Sequence, residues 1–512
     1  MVLYHIMSTY QLLECIEHKL LVHKEEKAIL LLNQVRINNL EDPSLLHEIF
    51  EHFFVFKVDI TNKNNKENLG KVEKVFKSTV KLSIEDFTEI YIAGIHTPLS
   101  AYLISKGIKF SMFEDGLGAL SRPWILGDLN KNAMSEPYFE FLNQYGLFEP
   151  NNLGSNILKR KYCNVKSQID TYEDELMENF DVITKFKELT SKEREFVLEL
   201  FNCPKLSETK KKSVLLLTQQ LSALRQLSFE DQVNLYQLIC DYFFEGYHLI
   251  IKPHPDDYLY YPLLFPNAKI VKGKFPAELF PFLFTNQPDV LATVSSTGVG
   301  LIKDYFSKNI FFDEIFEQNF NCLHRYFSAL DFIEKMEIKS IEGNGIQRCI
   351  IDNYYTLKSK DNLLNKQNKD KVVLVDDYDT KNIDFDYLRE QKMVIFLNSK
   401  KEYVFYDYYQ KAFFESCIPI VITKRKLNED SFLPDEEEVI FVYCKENDMK
   451  NRVKAFRKNE TKLEYSGLSV EIENLTDDQL RIKVLEGILE ATEKRLLTYI
   501  ENEKLTRGED QI

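Results

Sequence analysis

Short apolar runs alternate along this chain with longer stretches in which apolar positions recur every three or four residues, from the first residues to about residue 310. A compact apolar run suits a strand buried on both faces, and an amphipathic stretch suits a helix laid against it. The pattern predicts strands over Leu3–Met7, Ala28–Leu32, His52–Val58, Glu89–Ala93 and Lys109–Phe113. Helices are predicted between them, among others over Tyr10–Leu21 and Pro98–Lys106. Strand–helix alternation of this kind builds a parallel sheet covered by helices, so residues 1–150 are expected to form a Rossmann-like domain.

Residues 151–212 break the rhythm. They are charge-dense, and SQIDTYEDELMENFDVITKFKELTSKEREFVLELF reads as helices, so a helical connector is expected here. The alternation resumes at Ser213–Gln220. It continues through helix Glu230–Phe244, strand His248–Lys252, helix Pro276–Phe284, strand Val290–Val294, helix Thr297–Phe306 and strand Ile310–Phe312. A second Rossmann-like domain is therefore expected over 213–356. After the polar stretch Leu357–Lys371, residues 370–512 read as a small additional α/β unit. Its strands are KVVLVDD, KMVIFL and IPIVITK, with YVFYDYYQKAFFES as a helix. A closing helix, Asp477–Lys504, carries Leu480, Ile482, Val484, Leu485, Ile488 and Leu489, a face suited to packing on its own domain or to docking in an assembly complex. The predicted class is α/β, with two Rossmann-like domains facing across a cleft that favours ligands at strand carboxyl ends.

Composition narrows the function. With 44% hydrophobic and 28% charged residues, the chain is globular rather than disordered. The net charge of −15 argues against a nucleic-acid partner, which needs clustered cations, but leaves room for a nucleotide held by backbone N–H groups. Eight cysteines lie far apart with no CxxC pair, as expected of buried thiols in a reducing compartment. The opening MVLYHIMSTYQLLECI lacks the marks of a signal peptide, and no apolar run of about 18 residues occurs. A cytoplasmic protein is expected.

Four sites fall where a strand gives way to a loop. FEDGLG (Phe113–Gly118) places Glu114 and Asp115 at a strand end, with Gly116 and Gly118 permitting a tight turn beside a ligand. One carboxylate there is suited to take a proton from a hydroxyl, although an ordinary acidic turn looks the same. IIKPHP (Ile250–Pro255) holds His254 between two prolines, with Lys252 close by. A stiff loop and an imidazole near its physiological pKa suit acid chemistry; a histidine without duty is the plainer reading. ATVSSTGVG (Ala292–Gly300) runs a buried strand into Ser295, Ser296 and Thr297 before a helix, which exceeds what N-capping requires and suits an anion. KFPAELF (Lys274–Phe280) sets Glu278 at a helix start, where a carboxylate also matches the helix dipole.

Taken in order, these motifs resemble those of the bacterial sialyltransferases: an acidic pair before Gly, His-Pro, and a double Ser. The nearest likeness is to glycosyltransferase family 52 and the polysialyltransferase-like families, over roughly residues 1–330. Tyr4–Leu20 also resembles their first strand, Thr-x-Gln loop (Thr9, Gln11) and helix. The resemblance implies a GT-B fold and inversion without a metal or other cofactor. Asp115 matches the base that deprotonates the acceptor, and His254 the acid that protonates or neutralises departing CMP. Ser295 and Ser296 match phosphate binders and Glu278 the ribose-binding carboxylate; Lys252, Thr297, Glu114 and Gly116 lie within the motifs. The implied partners are CMP-sialic acid and a surface-glycan acceptor, with peripheral membrane or assembly-complex association and homo-oligomerisation left open. The DD pairs Asp256–Asp257 and Asp376–Asp377 read as solvated turns, not metal sites. The alternatives are a transferase for another CMP-activated ulosonic acid (Kdo, legionaminic or pseudaminic acid) and a polyol-phosphate polymerase.

Overall fold

The computed structural model describes residues 1–312 except 115, 117, 123–133, 150–152, 207–211 and 297. Beyond 312 it describes 329–330, 332–333, 336, 341–342, 352–354, 356–357, 372–375, 385–397, 416–422, 438–458, 462–465, 468–471 and four single positions. The chain divides into two compact units. Unit 1 holds Met1–Lys210, Val271–Pro288 and Ser296–Ser307; unit 2 holds Lys211–Ile270, Asp289–Ser295 and Lys308–Ile512.

Unit 1 is built on seven strands: β1 (Val2–His5), β2 (Ala28–Leu32), β3 (His52–Val55), β4 (Glu89–Ala93), β5 (Phe110–Phe113), β6 (Leu158–Cys163) and β7 (Met177–Asn179). They run parallel in the order β3-β2-β1-β4-β5-β6-β7. The order reverses between β1 and β4, and in open parallel sheets the crevice at such a reversal takes the ligand. Every residue of β2, AILLL, is buried, as a strand covered on both faces requires.

Helix α1 (Thr9–Val22) follows β1 and is buried on every side from Gln11 to Lys19, including Glu14, Glu17 and His18. Lys19 ends it by donating through Nζ to the carbonyls of His23 (2.7 Å) and Lys24 (3.0 Å), satisfying acceptors that the helix terminus leaves open.

The stretch expected as a helical connector instead supplies β6 and β7 before its helices Val182–Glu188 and Ser191–Leu200. Charge hides these strands in the sequence. Lys159 and Arg160 of β6 are exposed, whereas Lys161 is buried and ion-paired with Asp174 at 2.6 Å.

Unit 2 contains β8 (Ser213–Leu217), β9 (His248–Lys252), β10 (Lys269–Ile270), β11 (Val290–Thr293) and β12 (Lys308–Phe311), all parallel in the order β10-β9-β8-β11-β12. The reversal here lies between β8 and β11. The helix expected over Glu230–Phe244 is α-helical for Phe229–Gln237 and then widens into a π-turn, Leu238–Phe243. In unit 1, the helix expected over Pro276–Phe284 is a short 3-10 helix, Ala277–Phe282, with Pro281 inside it interrupting the backbone hydrogen bonds.

The later sheet of unit 2 comprises β13 (Ile341–Glu342), β14 (Val372–Val375), β15 (Met393–Leu397), β16 (Ile418–Ile422) and β17 (Glu438–Cys444), in the order β13-β14-β15-β17-β16. Strand β17 runs antiparallel to both neighbours and adds to the strands the sequence pattern predicts. One apolar core joins both sheets of this unit, from Val214 and Leu216 through Ile310 to Leu374, Ile395 and Ile440. A hairpin, β18 (Lys462–Tyr465) with β19 (Leu468–Glu471), follows. The helix expected at YVFYDYYQKAFFES falls outside the described residues except for Ser416. So does the one over 477–504, except for three positions, where Ile482 is exposed.

Candidate active site

In unit 1 the chemistry-bearing residues gather at strand carboxyl ends. After β1, Ser8 caps α1: its Oγ accepts the Gln11 N–H, and Gln11 Oε1 accepts the N–H groups of Met7 (2.7 Å) and Ser8 (3.0 Å). This reciprocal cap fixes the loop at the sheet's reversal point. Thr9, beside it, is buried and accepts from Arg36. Gly94, at the end of β4, has φ +80°, and a Cβ there would lie 2.8 Å from Gln11 Nε2.

At the end of β5, Glu114 is buried with both oxygens engaged. Oε1 accepts the Asn164 N–H and Oε2 accepts from Gln168 Nε2, each at 2.9 Å. Burial pushes its carboxyl up to about 7, against the pull of those hydrogen bonds. Glu114 thus bolts the acidic turn to the loop after β6. Gly118 completes the join: with φ +73°, it approaches Ser167 so closely that a Cβ would meet the Ser167 carbonyl oxygen. Gly116 has φ +119°. Asp115 lies outside the described residues, as does Thr297.

Two other expected residues of unit 1 come together. Glu278 and Ser296 flank Gly298, where a Cβ would stand 3.8 Å from Glu278 Oε1, 3.6 Å from Ser296 Oγ and 3.0 Å from the Ala277 Cβ. Glu278 is buried, and burial pushes its carboxyl up to about 7.

The acidic company of Glu278 carries no mark in the sequence. Burial, and then the carboxylates of Glu14, Glu278, Glu114 and Glu17, push the Tyr10 hydroxyl well above its ordinary value. Glu17 is fully buried and is raised by burial, then by Glu14, Asp181 and Glu278. The amphipathic pattern of α1 gives no sign of this, because a helix buried all round has no polar face to read.

In unit 2, β9 and β11 flank β8, with Leu217 in register with Lys252 on one side and Thr293 on the other. The loops carrying His254 and Ser295 therefore leave the sheet at the same end. Thr218, the first residue past β8, accepts the His254 N–H at 3.2 Å. His254 opens a tight turn in which its carbonyl accepts the Asp257 N–H at 3.1 Å, while its Nδ1 accepts the Asp256 N–H at 3.2 Å. An imidazole whose Nδ1 accepts a hydrogen bond carries its proton on Nε2. Lys252 is buried, with Nζ donating to the Pro253 carbonyl at 3.2 Å; Ser295 is half-buried. Thr218 goes beyond the predicted set, although a Thr directly after the apolar run VLLL is a visible signal.

Among the described residues, no three His, Cys, Asp or Glu side chains converge to hold a metal ion. No helix among them is long and apolar enough to cross a membrane.

A model described as glycosyltransferase family 52 matches residues 24–312, more than half of the chain. The match takes in the acidic turn, His254, Glu278 and the serine pair, and leaves out Thr9, Gln11 and everything after 312. A curated but uncharacterized protein from Haemophilus influenzae is 30% identical over 90 residues, which span 18% of this chain and 29% of that protein. Among solved structures, a sialyltransferase from Photobacterium damsela is similar at 13% identity, covering 60% of this chain and 74% of that one, with a TM-score of 0.35. An alpha/beta-galactoside alpha-2,3-sialyltransferase from Photobacterium phosphoreum is 12% identical, covering 73% and 97%, with a TM-score of 0.37. A UDP-GlcNAc 2-epimerase from Neisseria meningitidis is 10% identical, covering 71% and 92%, with a TM-score of 0.38.

Proposed function

The chain belongs to glycosyltransferase family 52, and we propose that it transfers a sialic acid from CMP-sialic acid to a hydroxyl of a surface-glycan acceptor, with inversion and without a metal ion. In this reading the two parallel sheets are the two halves of a GT-B enzyme working in the cytoplasm. The observation that supports it is the turn after β9, in which the Asp256 N–H donates to His254 Nδ1, so that the neutral ring carries its proton on Nε2.

The chemistry follows from the groups available. CMP leaves with a single phosphate, and hydrogen-bond donors fixed in advance can stabilise the charge that develops on it. His254 Nε2–H is one such donor, and the hydroxyls of Ser295 and Ser296 are others. Of the two duties open to His254, neutralising the phosphate by a hydrogen bond suits an imidazole whose Nδ1 is already an acceptor. Asp115 takes the acceptor hydroxyl proton as the new C–O bond forms at the anomeric carbon. The old C–O bond breaks on the opposite face, and its electron pair leaves with the phosphate. Glu114, spent on Asn164 and Gln168, fixes the turn that carries Asp115. Glu278 receives the ribose hydroxyls.

CMP release across a panel of CMP-activated sugars, with and without glycan acceptors, tests the reading. Release from CMP-sialic acid supports it. Release from CMP-Kdo or CMP-legionaminic acid alone moves the donor to another ulosonic acid, and no release from any donor ends it.

A further inference from the structure

Resting on the reading of His254 as the donor to the phosphate, we propose that Asp257 is a positioning residue: its carboxylate, clamped by Gln232 and Tyr261, fixes the turn that keeps the His254 proton on Nε2. The adjacent acids of this turn differ in their surroundings. Asp256 is exposed, whereas Asp257 is half-buried and accepts from three residues. Gln232 Nε2 donates to both of its oxygens (3.0 and 3.1 Å), the Leu259 N–H to Oδ1 (3.2 Å) and the Tyr261 hydroxyl to Oδ2 (2.6 Å).

The clamp is itself anchored. Gln232 is fully buried; its Oε1 accepts the Ser222 N–H at 2.7 Å, and its Nε2 also donates to the Gln219 carbonyl at 3.1 Å. Flipping that amide would set donor against donor, so its orientation is determined. Tyr261 is 1% exposed and packs edge-on against Tyr236, whose hydroxyl accepts the Gln219 N–H at 2.7 Å. Asp257 is therefore tied to the loop after β8 and to the helix Phe229–Gln237.

The turn His254–Asp257 is thus held at both ends, by Thr218 at its first residue and by the clamp at its fourth. Held this way, the turn presents the Asp256 N–H to His254 Nδ1. If the fourth residue were released, the turn could rotate that N–H away and either ring nitrogen could carry the proton. A carboxylate fits the clamp because it only accepts; an asparagine would direct its own N–H₂ at one of the three donors.

The test uses full-length protein labelled with [15N]histidine at mildly alkaline pH, with the His254 signals identified by their loss in His254→Ala. The wild type should show the Nε2–H tautomer. In Asp257→Ala and Gln232→Leu the ring nitrogens should move toward a tautomer mixture. Turnover number should fall roughly ten- to a hundredfold, with donor KM within about twofold, and Asp257→Asn should recover part of both. A purely structural role would leave the tautomer unchanged. An Nδ1–H tautomer in the wild type overturns the proposal, as does an unaltered tautomer in the variants. Should Asp257→Ala fail to fold, Gln232→Leu decides. Wild-type turnover by His254→Ala would remove the underlying catalytic reading, while the tautomer signals would still decide whether Asp257 fixes the turn.

Discussion

The carboxamide of Gln11 occupies the space that a side chain at residue 94 would need: a Cβ on Gly94 would meet Gln11 Nε2 at 2.8 Å, and the backbone there has φ +80°. The contact joins the ends of β1 and β4 at the reversal point of the first sheet.

Gly94→Ala should therefore destabilise unit 1 by about 2–4 kcal/mol, combining left-handed backbone strain with a steric clash. Gln11→Ala relieves the clash but gives up the cap. In urea denaturation the double variant should cost less than the sum of the single ones. Strict additivity would mean that the two residues do not share this space.

Stability should be greatest between about pH 4.5 and 6.5 and fall on both sides. Glu114 and Glu278, raised from 4.5 to about 7, bind protons in the folded state that the unfolded chain has released; their contribution is full below 4.5 and is lost as pH rises through 7. His5 and His18, lowered by burial from 6.5 to about 4 and about 3, act oppositely; their contribution is full above 6.5 and is lost as pH falls through 4 and 3. Between those limits the two trends oppose each other, and Glu17, also raised by burial, adds to the alkaline loss. Urea midpoints measured from pH 3 to 9 check this, and Glu278→Gln should flatten the alkaline limb. A midpoint rising steadily to pH 9 would contradict it.

Much of the fold was legible because β1, β2, β4, β8 and β9 are apolar runs. The expected strands Ala28–Leu32, Glu89–Ala93 and His248–Lys252 match the observed ones residue for residue. The rest was hidden for physical reasons. Strands β6 and β7 are rich in charge, and pairing with Asp174 lets Lys161 sit inside. Of the candidate site, the motifs stand out in the sequence because they are polar residues directly after an apolar strand. The partners that fix them do not: Gln232 and Asp257 are 25 residues apart, and their contact arises only from folding.

Donor binding should weaken where Glu278 and Ser296 meet. Ser296→Ala should raise the KM for CMP-sialic acid roughly tenfold or more, the loss of one hydrogen bond to a charged group, with a smaller change in turnover number. Gly298→Ala should act in the same direction, because its Cβ would stand 3.0 Å from that of Ala277 and must displace the wall beside Glu278. Initial rates at varied donor concentration check both, and an unchanged KM in both variants would take the donor away from this spot.

Chelation should leave transfer unaffected. Rates in excess EDTA should equal those in added magnesium or manganese, because fixed hydrogen-bond donors take the place of a cation. Strong inhibition by EDTA, reversed by one of these ions, would require a different phosphate site.

The most direct measurement is turnover of CMP-sialic acid with a glycan acceptor by the wild type, Asp115→Ala and His254→Ala, with melting temperature followed in parallel. Both variants should stay folded and lose about 10²–10⁴-fold in rate, as expected when a positioned proton acceptor or donor is removed. Wild-type turnover by either folded variant would contradict the role assigned to that residue, and wild-type turnover by both would contradict the mechanism.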